Sequence, residues 1–102
     1  MSHQIDLAPE YLSVLKEILD LHLLPEAKVW VFGSRVTGRT KKFSDIDLLV
    51  DTGEPISLEK MARLNLAFEE SILPYKVDIV DIAAISDVLK KNIQEQLVSL
   101  RS

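Results

Sequence analysis

The chain has 102 residues, no cysteine, and 16 acidic against 12 basic side chains, for a net charge of −4. That length accommodates one domain, residues 1–102, with a genuine core burying somewhat over roughly 60% of the unfolded surface; disulfides, thiolate zinc and cysteine nucleophiles are excluded. A pI near 5.1 argues against direct nucleic-acid binding, which calls for a basic surface. No apolar run approaches the roughly 20 residues of a membrane span and the start lacks a signal-peptide pattern, so no membrane contact is expected and the cytoplasm is the default compartment.

Met1 to Ala8 is a short polar start. Pro9 suits the first turn of a helix, and Tyr11, Leu12, Val14, Leu15, Ile18 and Leu19 recur at helical spacing up to about Leu23. Pro25 marks the stop. His22 near the helix end and His3 in the start have no metal-type partner at useful spacing, and neither is read as catalytic. Lys28 to Phe32 is the first strand, apolar on both faces as for a strand covered on both sides. Trp30 within it is read as packing rather than as a platform for a nucleotide base. Arg35 to Thr40 is expected to make a single helical turn, and Asp45 to Val50 is the second strand.

Thr52-Gly53-Glu54-Pro55 is turn chemistry. Ser57 caps the next helix, where Glu59 suits the helix dipole. Met61, Leu64, Phe68 and Ile72 form one stripe directed at a core, and Pro74 ends it. Tyr75 to Asp81 reads as the third strand, with Val77 and Ile79 on one face and Asp78 and Val80 on the other. Ser86 caps a last helix, with Leu89, Ile93, Leu97 and Leu100 along one side. The order of elements predicts a small α/β sandwich in which helices cover one face of a mixed sheet.

Chemistry concentrates between the first two strands. In a strand, residues two apart share a face and each residue advances the chain by about 3.3 Å, so Asp45 and Asp47 project together with Cα atoms roughly 6 to 7 Å apart. Ile46, Leu48 and Val50 take the opposite, apolar face. Two carboxylates about 4 Å apart repel by roughly 4 kcal/mol at an effective dielectric of about 20, and a divalent cation removes that penalty. Mg²⁺ favours hard oxygen ligands, with one or two carboxylates plus phosphate oxygens. A bare Asp-x-Asp also fits a polar turn and an outward-facing residue. The upstream Gly33-Ser34 turn, with ten residues between Ser34 and Asp45, tips the balance. A strand, a glycine turn and the basic segment with Arg35, Arg39, Lys41 and Lys42 suit a triphosphate held over a metal site. Asp78, a carboxylate mid-strand, is costly to bury without a purpose, and converging with Asp45 and Asp47 would supply one; Asp81 is the alternative.

Gly33-Ser34, ten residues, then Asp45-x-Asp47, together with Arg35, Gly38, Ser44 and the run Asp47-Leu48-Leu49-Val50, resembles the nucleotidyltransferases of the DNA polymerase β superfamily. Within them the chain is most similar to the minimal nucleotidyltransferases (MNT) found beside HEPN-domain partners. The resemblance implies the polymerase β-like fold, with a mixed sheet of three or slightly more strands and helices mainly on one face. It implies two Mg²⁺ ions held by Asp45, Asp47 and Asp78, with ATP as substrate. Gly33 and Ser34 would hold the phosphates, Ser44 would assist, and Arg35 would offset developing charge. The implied function is an antitoxin that moves AMP from ATP to a tyrosine of a HEPN ribonuclease toxin, in a hetero-oligomer. Two alternatives stay open: a non-catalytic binding antitoxin, and transfer to a small hydroxylated molecule.

Overall fold

A computed structural model describes residues 5–37 and 45–101. The expected contributions of Ser44 and of the basic residues Arg39, Lys41 and Lys42 lie outside the described residues.

Helix α1 spans Pro9–His22, with the proline in its first turn and Leu15 and Leu19 buried. Proline fits there because its missing N–H would have no helical partner anyway. Strand β1, Lys28–Phe32, follows, then the short helix α2, Ser34–Thr37. Strand β2 is Ile46–Asp51 and helix α3 is Leu58–Glu69. Ser57 caps α3 by accepting a hydrogen bond from the Lys60 N–H at 3.1 Å, as its position in the sequence predicts. Strand β3 is Val77–Asp81, and helix α4, Asp87–Ile93, is capped by Ser86 through the Leu89 N–H at 3.2 Å.

The strands form a four-stranded sheet in the order β3-β2-β1-β4. Strand β1 is antiparallel to β2, and β2 is parallel to β3, with α3 as the crossover that parallel neighbours require. Val29 and Val31 of β1 and Ile46, Leu48 and Val50 of β2 turn to one face, where Leu15, Leu19, Leu64 and Phe68 of α1 and α3 close over them. Each such side chain, once fully buried, contributes roughly 1.5–3 kcal/mol. Leu49 is also fully buried yet belongs to the opposite face, so that face is covered in part; among the described residues, Ile93 of α4 is the other buried apolar residue outside the main cluster.

The C-terminal helix predicted through Leu97 and Leu100 stops at Ile93. A short 3-10 turn, Gln94–Gln96, leads into strand β4, Val98–Arg101, antiparallel to β1. The reason is non-local. Strand β1 has an open edge on the side away from β2, where Val98, Ser99 and Arg101 gain backbone partners, and Val98 and Leu100 pack against the main cluster. The α3 stripe is likewise shorter than its spacing suggested: the helix ends at Glu69, and Ile72 lies beyond it, 70% exposed.

Candidate active site

Strand alternation sorts the acids. In the parallel pairing of β2 with β3, Asp47 and Asp78 are direct Cα partners. Asp45, exposed, precedes Asp47 by two residues and shares its face by strand alternation. In the antiparallel pairing with β1, Asp47 stands opposite Phe32, which hands the chain to Gly33. Asp47, Asp78 and the glycine turn therefore meet at one end of the sheet. Trp30 is half-buried on the same face, opposite Leu49.

Asp47 is the electrostatic centre. Partial burial, the carboxylate of Asp78 and that of Asp45, in that order, push its pKa up from 3.8 to about 6. Burial disfavours a charge, and neighbouring like charges disfavour it further. Among the described residues nothing donates a hydrogen bond to Asp47, whereas Asp78 has an exposed ion pair with Lys76 at 3.6 Å.

Gly33 is the residue that lets the turn approach. Its φ is +81°, a conformation L side chains rarely adopt, and a Cβ there would collide with Asp47 Oδ2. The N–H of Gly33 donates to Oε1 of Gln96 at 3.0 Å. Gly33, Ser34, Thr37 and Gln96 line an open cleft of about 400 Å³. Gln96 was invisible to sequence reasoning, because its place depends on the chain leaving the helix at Ile93. A second cleft, of about 480 Å³, borders Asp78 and is lined by Asn65, Phe68, Leu73, Tyr75 and Lys76 among others.

Two expected residues are placed elsewhere. Arg35 is only 4% exposed. Its Nη1 donates to the Asp6 carbonyl at 3.0 Å, its backbone oxygen accepts from the Asp6 N–H, and its guanidinium lies 4.1 Å from the centre of the Tyr75 ring. Tyr75 in turn meets Tyr11 of α1 edge to face. Arg35 thus ties the N-terminal segment to the sheet and does not line the Gly33 cleft. A nearly enclosed guanidinium calls for acceptors and a π face; Asp6 supplies an acceptor and Tyr75 the ring. Asp81, the alternative third acid, faces the helices instead: Oδ2 accepts from the Ile56 N–H at 2.8 Å and Oδ1 from the Ala83 N–H at 3.0 Å.

The donor set on the acid face is all carboxylate oxygen. Among the described residues no three His, Asp or Glu side chains converge closely enough to enclose an ion unaided. Mg²⁺ does not ask for that, because it completes its shell around one or two carboxylates with phosphate oxygens and water. Burial raises the Asp47 pKa most and repulsion from Asp78 and Asp45 adds to it; a divalent cation would relieve that repulsion, so the residues fit the ion.

Fold and site together define a nucleotidyltransferase of the polymerase β type. Residues 9–102 match the profile of the family "Polymerase beta, Nucleotidyltransferase", and the chain belongs to that family, in its minimal branch. It is 41% identical over 98 residues to a probable protein adenylyltransferase MntA of Haemophilus influenzae, covering 96% of this chain and 85% of that one. With the protein adenylyltransferase MntA of Thermococcus cleftensis it shares 35% identity over 71 residues, covering 70% of this chain and 71% of that one. Its fold resembles a chain of a toxin–antitoxin crystal structure with AMP-PNP, at a TM-score of 0.74 and 25% identity over 87% of this chain and 71% of that one. It also resembles a chain of a complex of tri-AMPylated Shewanella oneidensis HEPN toxin with MNT antitoxin, at a TM-score of 0.65 and 23% identity, covering 87% of this chain and 67% of that one. That last likeness speaks for the fold alone.

Proposed function

We propose that this nucleotidyltransferase moves AMP from ATP onto a tyrosine hydroxyl of a HEPN-type toxin and thereby acts as its antitoxin. The observation that carries the reading is the pairing of Asp47 with Asp78 across β2 and β3, beside the Gly33 turn. Support for a toxin as acceptor comes from the protein adenylyltransferase relatives and from the 25% identical chain of the toxin–antitoxin structure with AMP-PNP.

In this reading Asp45 and Asp47 hold Mg²⁺, expected as two ions, with Asp78 as the third ligand. Bound there, the metal would supply positive charge to offset that of the phosphates. Ser34 and the Gly33 turn hold the β- and γ-phosphates in the 400 Å³ cleft, with Ser44 as a further hydroxyl donor. The acceptor arrives on the other side, through the 480 Å³ cleft that borders Asp78. Its oxygen attacks the α-phosphorus, a new P–O bond forms, the bond to the bridging oxygen breaks, and pyrophosphate leaves. The hydroxyl proton passes to the Asp78 carboxylate and then to solvent. Arg35, held by Asp6 and Tyr75, braces the turn. We place the enzyme in the cytoplasm; among the described residues no helix is long and apolar enough to cross a membrane.

The test is the intact mass of the HEPN-type partner after incubation with Mg²⁺ and ATP, with the unaltered chain and with Asp47→Asn. A gain of one or more AMP units only with the unaltered chain is expected. No gain with either, while both still block the partner, would make the chain a binding antitoxin. Transfer that needs no partner protein would point to a small-molecule acceptor.

A further inference from the structure

We infer that Gln96 is a triphosphate-binding and positioning residue: its carbonyl oxygen holds the Gly33 N–H, and its amide NH₂ donates to a phosphate oxygen of the bound nucleotide. The inference rests on the reading of the Gly33 cleft as the phosphate site and deepens it.

The backbone puts Gln96 there. Strand β4 pairs with β1 through Trp30 with Ser99 and Val31 with Val98. Continuing that antiparallel register by two places sets Gln96 opposite Gly33, and the 3.0 Å hydrogen bond spans the pair. Gly33 is then pinned from two sides. On one, Asp47 leaves no room for even a Cβ; on the other, Gln96 holds the peptide N–H. The position of Ser34, the next residue, follows from both.

The same bond redistributes the donors. With its N–H engaged by Gln96, Gly33 is not a ready phosphate donor. A glutamine amide, however, carries an acceptor oxygen and two N–H donors. Since the Gly33 N–H fixes the oxygen end, the NH₂ is left to serve the cleft, and among the described residues it makes no hydrogen bond. It lines that cleft with the hydroxyl-bearing Ser34 and Thr37, so the wall offers short neutral donors. Such donors become charge-assisted when a phosphate oxygen accepts them.

Two substitutions separate the roles. Gln96→Glu keeps an acceptor for the Gly33 N–H but turns the donor into a negative charge facing the phosphates. Gln96→Met removes both. Binding of Mg²⁺ with a non-hydrolysable ATP analogue, and separately of AMP, is measured by calorimetry alongside melting temperature. For Gln96→Glu we expect an unchanged melting temperature, AMP affinity within about twofold, and a loss of roughly tenfold or more for the triphosphate. Gln96→Met should lose triphosphate affinity and melting temperature together. Should Gln96→Glu bind the analogue as the unaltered chain does, or lose AMP and triphosphate equally, the inference is overturned while the site reading stands. An unaltered chain that fails to bind the analogue at all would overturn both.

Discussion

Asp47 and Asp81 sit on neighbouring strands of one sheet, and their surroundings differ because alternation sends them to opposite faces. Asp81, 8% exposed, turns toward the helices and accepts hydrogen bonds from two backbone N–H groups, of Ile56 and Ala83. A buried carboxylate with two such donors organises the chain: it fastens the approach to α3 and the turn after β3. Asp47 turns the other way, to two further carboxylates and a glycine turn, with no donor of its own among the described residues. One face spends its acid on structure; on the other, Asp47 faces like charges instead, as at a site that would take a cation.

The contrast can be broken most severely by removing each acid in turn. Asp47→Asn should reduce AMP transfer to background without lowering the stability of the metal-free protein at pH 7.5. Asp81→Ala should do the reverse, orphaning two N–H donors at a cost of about 2–4 kcal/mol while the folded fraction keeps its transfer rate. Thermal unfolding and a transfer assay on both variants decide this. If Asp81→Ala abolished transfer without destabilising the fold, the division between the faces would be wrong.

Gly33→Ala comes next. It forces a Cβ into the left-handed region and against Asp47, so about 1–3 kcal/mol of stability should be lost along with nucleotide binding. Combining it with Asp47→Gly, which vacates the space, should recover part of the stability and none of the activity. Equal melting temperatures for Gly33→Ala and the unaltered chain would show that the turn relaxes freely.

The smallest effect is a pH dependence. The Asp47 pKa rises from 3.8 to about 6 on folding, so the folded state binds the proton more tightly. Stability from this group is present below the unfolded value and is lost as pH climbs from about 4 to about 6. In EDTA, Asp47→Asn should therefore gain melting temperature over the unaltered chain across that window, with the difference level above it. Added Mg²⁺ should raise the melting temperature of the unaltered chain at pH 7.5 and leave the variant nearly unmoved. A difference of opposite slope would mean that another group governs the titration.

Local rules carried the sequence reading where one residue type decides the backbone. Pro9 opening α1, Ser57 and Ser86 capping their helices, and the apolar alternation of Ile46, Leu48 and Val50 are such cases. The same period of two put Asp45, Asp47 and Asp78 on candidate faces before any tertiary contact was known. The reading failed where two segments distant in sequence had to meet. Leu89, Ile93, Leu97 and Leu100 do fall at helical spacing, and only the free edge of β1 turns the last of them into a strand. Motif position likewise says nothing about Asp6 and Tyr75 closing around Arg35.

By itself, then, the sequence determined the order of the first elements and the spacing of the acids behind a glycine turn, both set by short-range sterics and strand periodicity. Only the tertiary structure decided which third acid faces Asp47, that Asp81 serves the fold, and that Gln96 reaches Gly33. Those outcomes depend on strand register and on competition for buried hydrogen bonds between residues as many as 63 positions apart, which no local pattern encodes.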